Sequence, residues 1–219
     1  QPWHPQIEMI ARVLTNREVL NLKQIPKSMI IIGAGAVGVE FASIYRVFGT
    51  EVTVLEMLPR IVPVEDEDIS KELERLFKKQ GIKVHTGAKV EKAISSQEVR
   101  VEFTVNGKSQ AVEAETLLVA VGRRPLTENM GLEKTRVRVE RGFIHANEYQ
   151  ETGEPGVYAI GDIVAGTPQL AHVASMQGIV AATRIAGKPV KPVHRDRIPG
   201  CTYCHPEVAS VGLTEAQAR

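Results

Sequence analysis

The stretch MIIIGAGAVGVEFASIYRVFGTEVTVLE, residues 29–56, sets four apolar residues directly before three closely spaced glycines. A short apolar run closed by Gly33 is the pattern of a strand buried on both faces of a parallel sheet. Val37, Phe41, Ile44, Tyr45 and Phe48 then recur at three- and four-residue spacing, which predicts a helix, and Gly49 stands where a carboxyl-end glycine is favoured. TEVTVLE, residues 50–56, predicts a second strand. Gly33, Gly35 and Gly38 form G-x-G-x-x-G, in which the missing side chains let the chain turn, let backbone approach a pyrophosphate and let helix pack on strand. The motif alone is weak. Its context strengthens it, because a buried strand precedes it, an amphipathic helix follows it, and Glu56 closes the next strand 18 positions after Gly38.

The opening of such a helix presents unpaired N–H groups and positive partial charge, so a diphosphate can rest there without a dedicated lysine. Glu56 is suited to accept hydrogen bonds from adenosine ribose hydroxyls and to repel an added ribose phosphate, which predicts a site for NAD in preference to NADP. Arg60, past Pro59, is poorly placed to reverse that preference. The competing explanation is a glycine-rich turn in an α/β domain that binds nothing.

The acidic run EDED (65–68) precedes Ile69, Leu73, Leu76 and Phe77, which predicts a helix with negative charge at its amino end; Gly81 ends it and IKVHTG resumes a strand. Val99, Val101, Phe103 and Val105 alternate up to Asn106-Gly107, the pair most typical of a two-residue hairpin turn. TLLVAVG (116–122) is again a buried strand. Residues 29–122 therefore predict an α/β, Rossmann-like doubly wound parallel sheet carrying an antiparallel three-stranded meander. Residues 1–28, broken by Pro2, Pro5 and Pro26, carry no pattern of a packed element. Beyond Pro125 the sequence predicts a buried strand at VYAIGD, an Ala-rich helix over about 170–186 and a Pro-rich linker.

With 219 residues, 43% of them apolar, the chain can bury one sizeable core or two modest ones. Twenty-seven basic against 26 acidic residues leave a net charge of +1, which gives no global field to draw a polyanion or an anionic bilayer. No segment approaches the roughly 20 apolar residues that cross a membrane. These features predict a cytoplasmic protein without nucleic-acid or membrane partners. The opening at Gln1 and the stop at Arg219, soon after a new strand begins, predict a fragment.

By residue 162 the chain resembles the flavin-dependent pyridine nucleotide disulfide oxidoreductases. GAGAVGVE (33–40) resembles their NAD fingerprint, TLLVAVGRRP (116–125) the segment leaving the NAD domain, and TGEPGVYAIGD (152–162) their second FAD motif. PQLAHVASMQG (168–178) resembles the helix that runs under the flavin, and YCHPEVASVGLTE (203–215) the opening of the dimer-forming domain. The resemblance implies NAD contacts from Gly33, Gly35, Val37, Gly38, Glu40 and Glu56, with Val90 and Gly122 lining the two ends of the dinucleotide. It implies FAD contacts from Asp162, on the ribitol, and from Gln169, Leu170, Ala171 and His172. It divides the chain into the tail of an FAD domain (1–25), an NAD domain (26–124), a further part of the FAD domain (125–192) and the start of an interface domain (193–219). It also implies a homodimeric parent that oxidises protein-bound dihydrolipoamide, with lipoyl domains as partners; mercuric and glutathione reductases are the alternatives. The family's C-x-x-x-x-C redox pair, its first FAD glycine motif and its carboxyl-terminal catalytic histidine are not in this sequence, so the chain is expected to hold an NAD site and part of a flavin site without a complete catalytic centre.

Cys201 and Cys204 are the only cysteines, and CTYCH matches a haem-attachment pattern. Pro199 to Val211 predicts one extended strand, on which positions 201 and 204 point to opposite faces, so two inert thiols are favoured over a disulfide or a haem. No further residues stand at zinc-ligand spacing.

Overall fold

A computed structural model describes residues 12–219. The described residues through Arg123, together with Cys201–Arg219, form one compact unit, and Arg124–Gly200 form another.

In the first unit the elements run β1 (Val13–Leu14), α1 (Asn16–Val19), β2 (Ser28–Ile32), α2 (Ala36–Val47), β3 (Glu51–Leu55), α3 (Glu67–Lys79) and β4 (Lys83–His85). The meander β5 (Lys89–Ser95), β6 (Val99–Val105) and β7 (Lys108–Ala114) follows, and then β8 (Thr116–Val119). Five strands make one sheet in the order β1-β8-β2-β3-β4, with every pairing parallel. The chain leaves β2 toward β3 on one side and returns as β8 on the other, so strand order reverses beside the carboxyl end of β2. In open α/β sheets that is where ligands bind.

Alternation across the sheet builds two cores. Met29, Ile31, Val52, Val54 and Leu118 face α2 and α3, where Phe41, Tyr45, Leu73 and Phe77 complete the packing. Ile30, Ile32, Leu55, Leu117 and Val119 face the meander and meet Val99, Val101 and Phe103. A strand buried on both faces needs apolar residues throughout, which is why residues 29–32 read as a run and β6 reads as an alternation. The meander turns at Asn106 and Gly107, both with positive φ (51° and 74°), as a type I′ hairpin requires.

Two glycines fix the turn from β2 into α2. A methyl on Gly38 would lie 1.9 Å from the Gly33 carbonyl oxygen, so only a bare α-carbon lets the helix approach the strand this closely. Gly33 has φ of +99°, and a methyl there would lie 2.6 Å from the Ala120 carbonyl oxygen.

In the second unit β9 (Val139–Glu140) and β10 (Phe143–Ile144) form an antiparallel pair, and α4 (Ala171–Ile185) follows a 3-10 turn at Gly161–Ile163. Its small core holds Val137, Ile144, Ala159 and Val164. The chain then supplies β11 (Gly200–Thr202), β12 (Val208–Ser210) and α5 (Glu215–Ala218).

Four expectations are corrected. Residues 13–19 are not an unpacked lead-in: β1 pairs with β8, and Val13, Leu14 and Val19 are buried. A two-residue strand is too short to show periodicity. VYAIGD forms no strand, because its one pairing outside the 3-10 turn is an isolated bridge from Tyr158 to Glu151 and no neighbouring ladder extends it. Residues 199–211 form two short strands rather than one, since α2 binds the backbone between them: Glu40 and Ser43 accept the amides of Tyr203 and His205. Ile44, Phe48 and Ile69, counted with the apolar helix spacings, are exposed; the buried stripe of α2 is Val39, Phe41, Ala42 and Tyr45.

Phe77 is fully buried, so Phe77→Ala should cost about 3–5 kcal/mol in urea denaturation. Gly38→Ala should cost about 2 kcal/mol in the same assay although it adds only a methyl, because the carbonyl it strikes belongs to the backbone.

Candidate functional site

The carboxyl ends of β2, β3 and β8 open into a cavity of about 690 Å³. That lies within the 300–1,000 Å³ typical of ligand pockets. Hydrogen bonds between the strand ends set its floor: Gly33 N–H donates to Leu55 O (2.9 Å) and Ala120 N–H to Ile32 O (2.8 Å). Gly33, Gly35, Val37, Glu56, Val90 and Gly122 all line it, so the structure gathers six of the predicted NAD residues in one place. A Cβ added to Gly35 or Gly122 would meet no atom within 4 Å. At these two positions the missing side chain leaves backbone open to the cavity, whereas at Gly33 and Gly38 it relieves packing.

Helix α2 begins at this wall. Its N-cap is Gly35, which has no side chain with which to cap the first-turn amides. Those N–H groups and the helix dipole make the wall attractive to an anion. Glu56 is buried at the tip of β3; its Oε2 accepts Ala34 N–H at 2.6 Å and its Oε1 accepts Leu58 N–H at 2.7 Å. Met57 and Leu58 add an exposed apolar rim, and Lys89 adds a cation bridged to Glu91 at 3.2 Å. Sequence reasoning missed these three. Exposed apolar residues directly after a strand-tip carboxylate were the available signal.

Two predicted residues sit elsewhere. Gly38 and Glu40 are not among the lining residues; Gly38 packs on Gly33, and Glu40 Oε1 accepts Tyr203 N–H at 2.8 Å.

In the second unit the predicted flavin residues cluster where α4 begins. Gln169 Nε2 donates to Asp162 O (3.2 Å), Leu170 is the N-cap of α4, and Ala171 and His172 open the helix. His172 Nε2 donates to Pro199 O at 3.1 Å, which uses the ring in structure. Gln177, buried in α4 and not singled out by sequence, accepts Gly161 N–H at 2.7 Å through Oε1 and so fixes the turn that carries Asp162.

Cys201 and Cys204 are free thiols. Cys204 is buried, and burial pushes its pKa up to about 11, which leaves little thiolate near neutrality. Among the described residues no group of three or more His, Cys, Asp or Glu could hold a metal ion, and no helix is long and apolar enough to cross a membrane.

A family profile described as pyridine nucleotide-disulphide oxidoreductase matches residues 5–178. Dihydrolipoyl dehydrogenase of Rhizobium etli is 46% identical over 220 residues, covering 98% of this chain and 45% of the relative. The Bacillus subtilis protein of the same name is 44% identical over 210 residues, covering 94% and 44%. Among solved structures, LpdA of Mycobacterium tuberculosis superposes with a TM-score of 0.85 at 30% identity over 93% of this chain and 44% of that one. The HOCl-induced flavoprotein disulfide reductase RclA of Escherichia coli gives 0.87 at 29% identity over 98% and 49%. The chain thus spans about half the length of the relatives it matches. The profile match over most of the sequence and the identities above 40% agree: the chain belongs to the pyridine nucleotide-disulphide oxidoreductases, an enzyme family that uses FAD and NAD.

Proposed function

We propose that this chain is the NAD-binding portion of a dihydrolipoamide dehydrogenase and carries part of its FAD site. The observation that carries the proposal is Gly35, whose missing side chain opens onto a cavity with the start of α2 on one wall and the buried Glu56 on another. Open backbone at a helix amino end suits a diphosphate, and a carboxylate at the adjacent strand tip suits ribose hydroxyls. Val37, Val90 and Gly122 would line the rest of the dinucleotide site, with Gly33 and Gly38 shaping the turn and Glu40, on α2, holding the Tyr203 amide away from the cavity. Asp162, Gln169, Leu170, Ala171 and His172 would hold FAD. When bound, FAD and NAD supply the electron and hydride transfer between a substrate dithiol and the nicotinamide. In a parent about twice this length, the reaction is oxidation of protein-bound dihydrolipoamide by a homodimer working on lipoyl domains. Glu56 disfavours the NADP-using glutathione reductase alternative, because a phosphate on the ribose would meet a carboxylate.

Calorimetry tests the proposal. NADH should bind at least about tenfold more tightly than NADPH, a difference of roughly 1.4 kcal/mol. Gly35→Val, whose Cβ would meet no atom within 4 Å, should weaken NADH binding at least tenfold (about 1.4 kcal/mol) with little loss of thermal stability. Absence of heat with NADH, or equal affinity for NADPH, would overturn it.

A further inference from the structure

Glu56 is more than 90% buried, and both of its oxygens are engaged by the protein itself. Oε2 takes the amide of Ala34, the residue between the first two glycines, and Oε1 takes the amide of Leu58 on the cavity rim. The opposite end of Ala34 is held as well, since its carbonyl accepts Val62 N–H at 2.7 Å. Val62 is a buried β-branched residue with φ of +39°, so the loop after β3 tolerates a strained backbone while making that bond. Glu56 is itself fixed in the sheet edge, donating its N–H to His85 O (2.9 Å) and accepting Ala88 N–H at its own carbonyl (2.8 Å).

We infer that Glu56 is a positioning residue for the glycine turn. Its carboxylate ties the Ala34 peptide to the rim at Leu58 before any ligand arrives, so that Gly35 and the first amides of α2 already face the cavity. The inference rests on the dinucleotide reading above but assigns Glu56 a second task, distinct from contacting ribose hydroxyls. Glutamine is the informative replacement. It keeps the shape, but a carboxamide offers a single acceptor oxygen, so one of the two amides would face an NH₂ donor instead. Bonds from amides to a charged carboxylate are among the stronger ones, and losing one leaves a buried donor unpaired.

The test uses this chain, wild type and Glu56→Gln, in two measurements. Without ligand, amide hydrogen exchange should show protection at Ala34 or Leu58 falling about 10- to 100-fold in Glu56→Gln, while Ile30 and Ile31 in β2 keep theirs. Loss of protection across β2 as well would mean general destabilisation and would overturn the inference. In the second measurement, a dinucleotide whose adenosine ribose lacks both hydroxyls should bind Glu56→Gln about fivefold or more weakly than wild type, since no ribose contact remains to be lost. Unchanged exchange, with only NADH affinity reduced, would confine Glu56 to ribose recognition and sink the inference while sparing the dinucleotide reading. Wild type that binds neither dinucleotide, yet shows the local exchange difference, would sink the dinucleotide reading and uphold Glu56 as the closure of the turn.

Discussion

The Gly33 carbonyl and the Gly38 α-carbon approach so closely that no methyl fits between them, and the site depends on that contact. It lets α2 start immediately after β2, with its amino end at the carboxyl edge of the sheet rather than displaced along it. Helix amides are strong donors that must find acceptors. A helix that begins at a cavity wall with a side-chain-free N-cap therefore offers them to whatever enters. Sheet order serves the same end, because β3 and β8 flank β2 on either side and the tips of all three strands meet the same cavity.

Two electrostatic features face the cavity. Helix amino ends attract anions and carboxylates repel them, and the opening of α2 and Glu56 line the same cavity. The buried carboxylate is tolerable because two charge-assisted hydrogen bonds replace the water it lost. Backbone contributes the amides of the α2 first turn, the turn at Ala34, and the open glycines at 35 and 122. The enzyme family to which the chain belongs uses NAD and FAD, and the second unit carries the residues proposed for the flavin around the start of α4.

Legibility in the sequence followed the length and regularity of each element. Residues 29–56 and the meander were readable because buried strands, amphipathic helices and an Asn-Gly turn each leave a period or a pair that little else produces. The two-residue β1 left none, yet it joins the sheet through pairing with β8, a contact between residues about a hundred positions apart. VYAIGD looked like a strand because its composition suits one; whether such a segment forms a ladder depends on a neighbour, which composition does not report. At the site, the spacing from Gly38 to Glu56 was legible, whereas the engagement of Glu40 with the Tyr203 amide was not, since it joins positions 163 residues apart. Glu56 illustrates the same limit. Its place at a strand tip is written in the sequence, but its grip on Ala34 and Leu58 appears only once the loop folds back.

The most direct measurement is a titration of the ¹⁵N-labelled chain with NADH, followed amide by amide. Saturating NADH should move the resonances of Gly35, Ala36, Val37 and Gly122 most, with the outer face of the meander, at Arg100 and Glu113, unmoved. Shifts centred on the groove lined by Ile44, Val47 and Tyr203, or no shifts at all, would contradict a dinucleotide seat at the opening of α2.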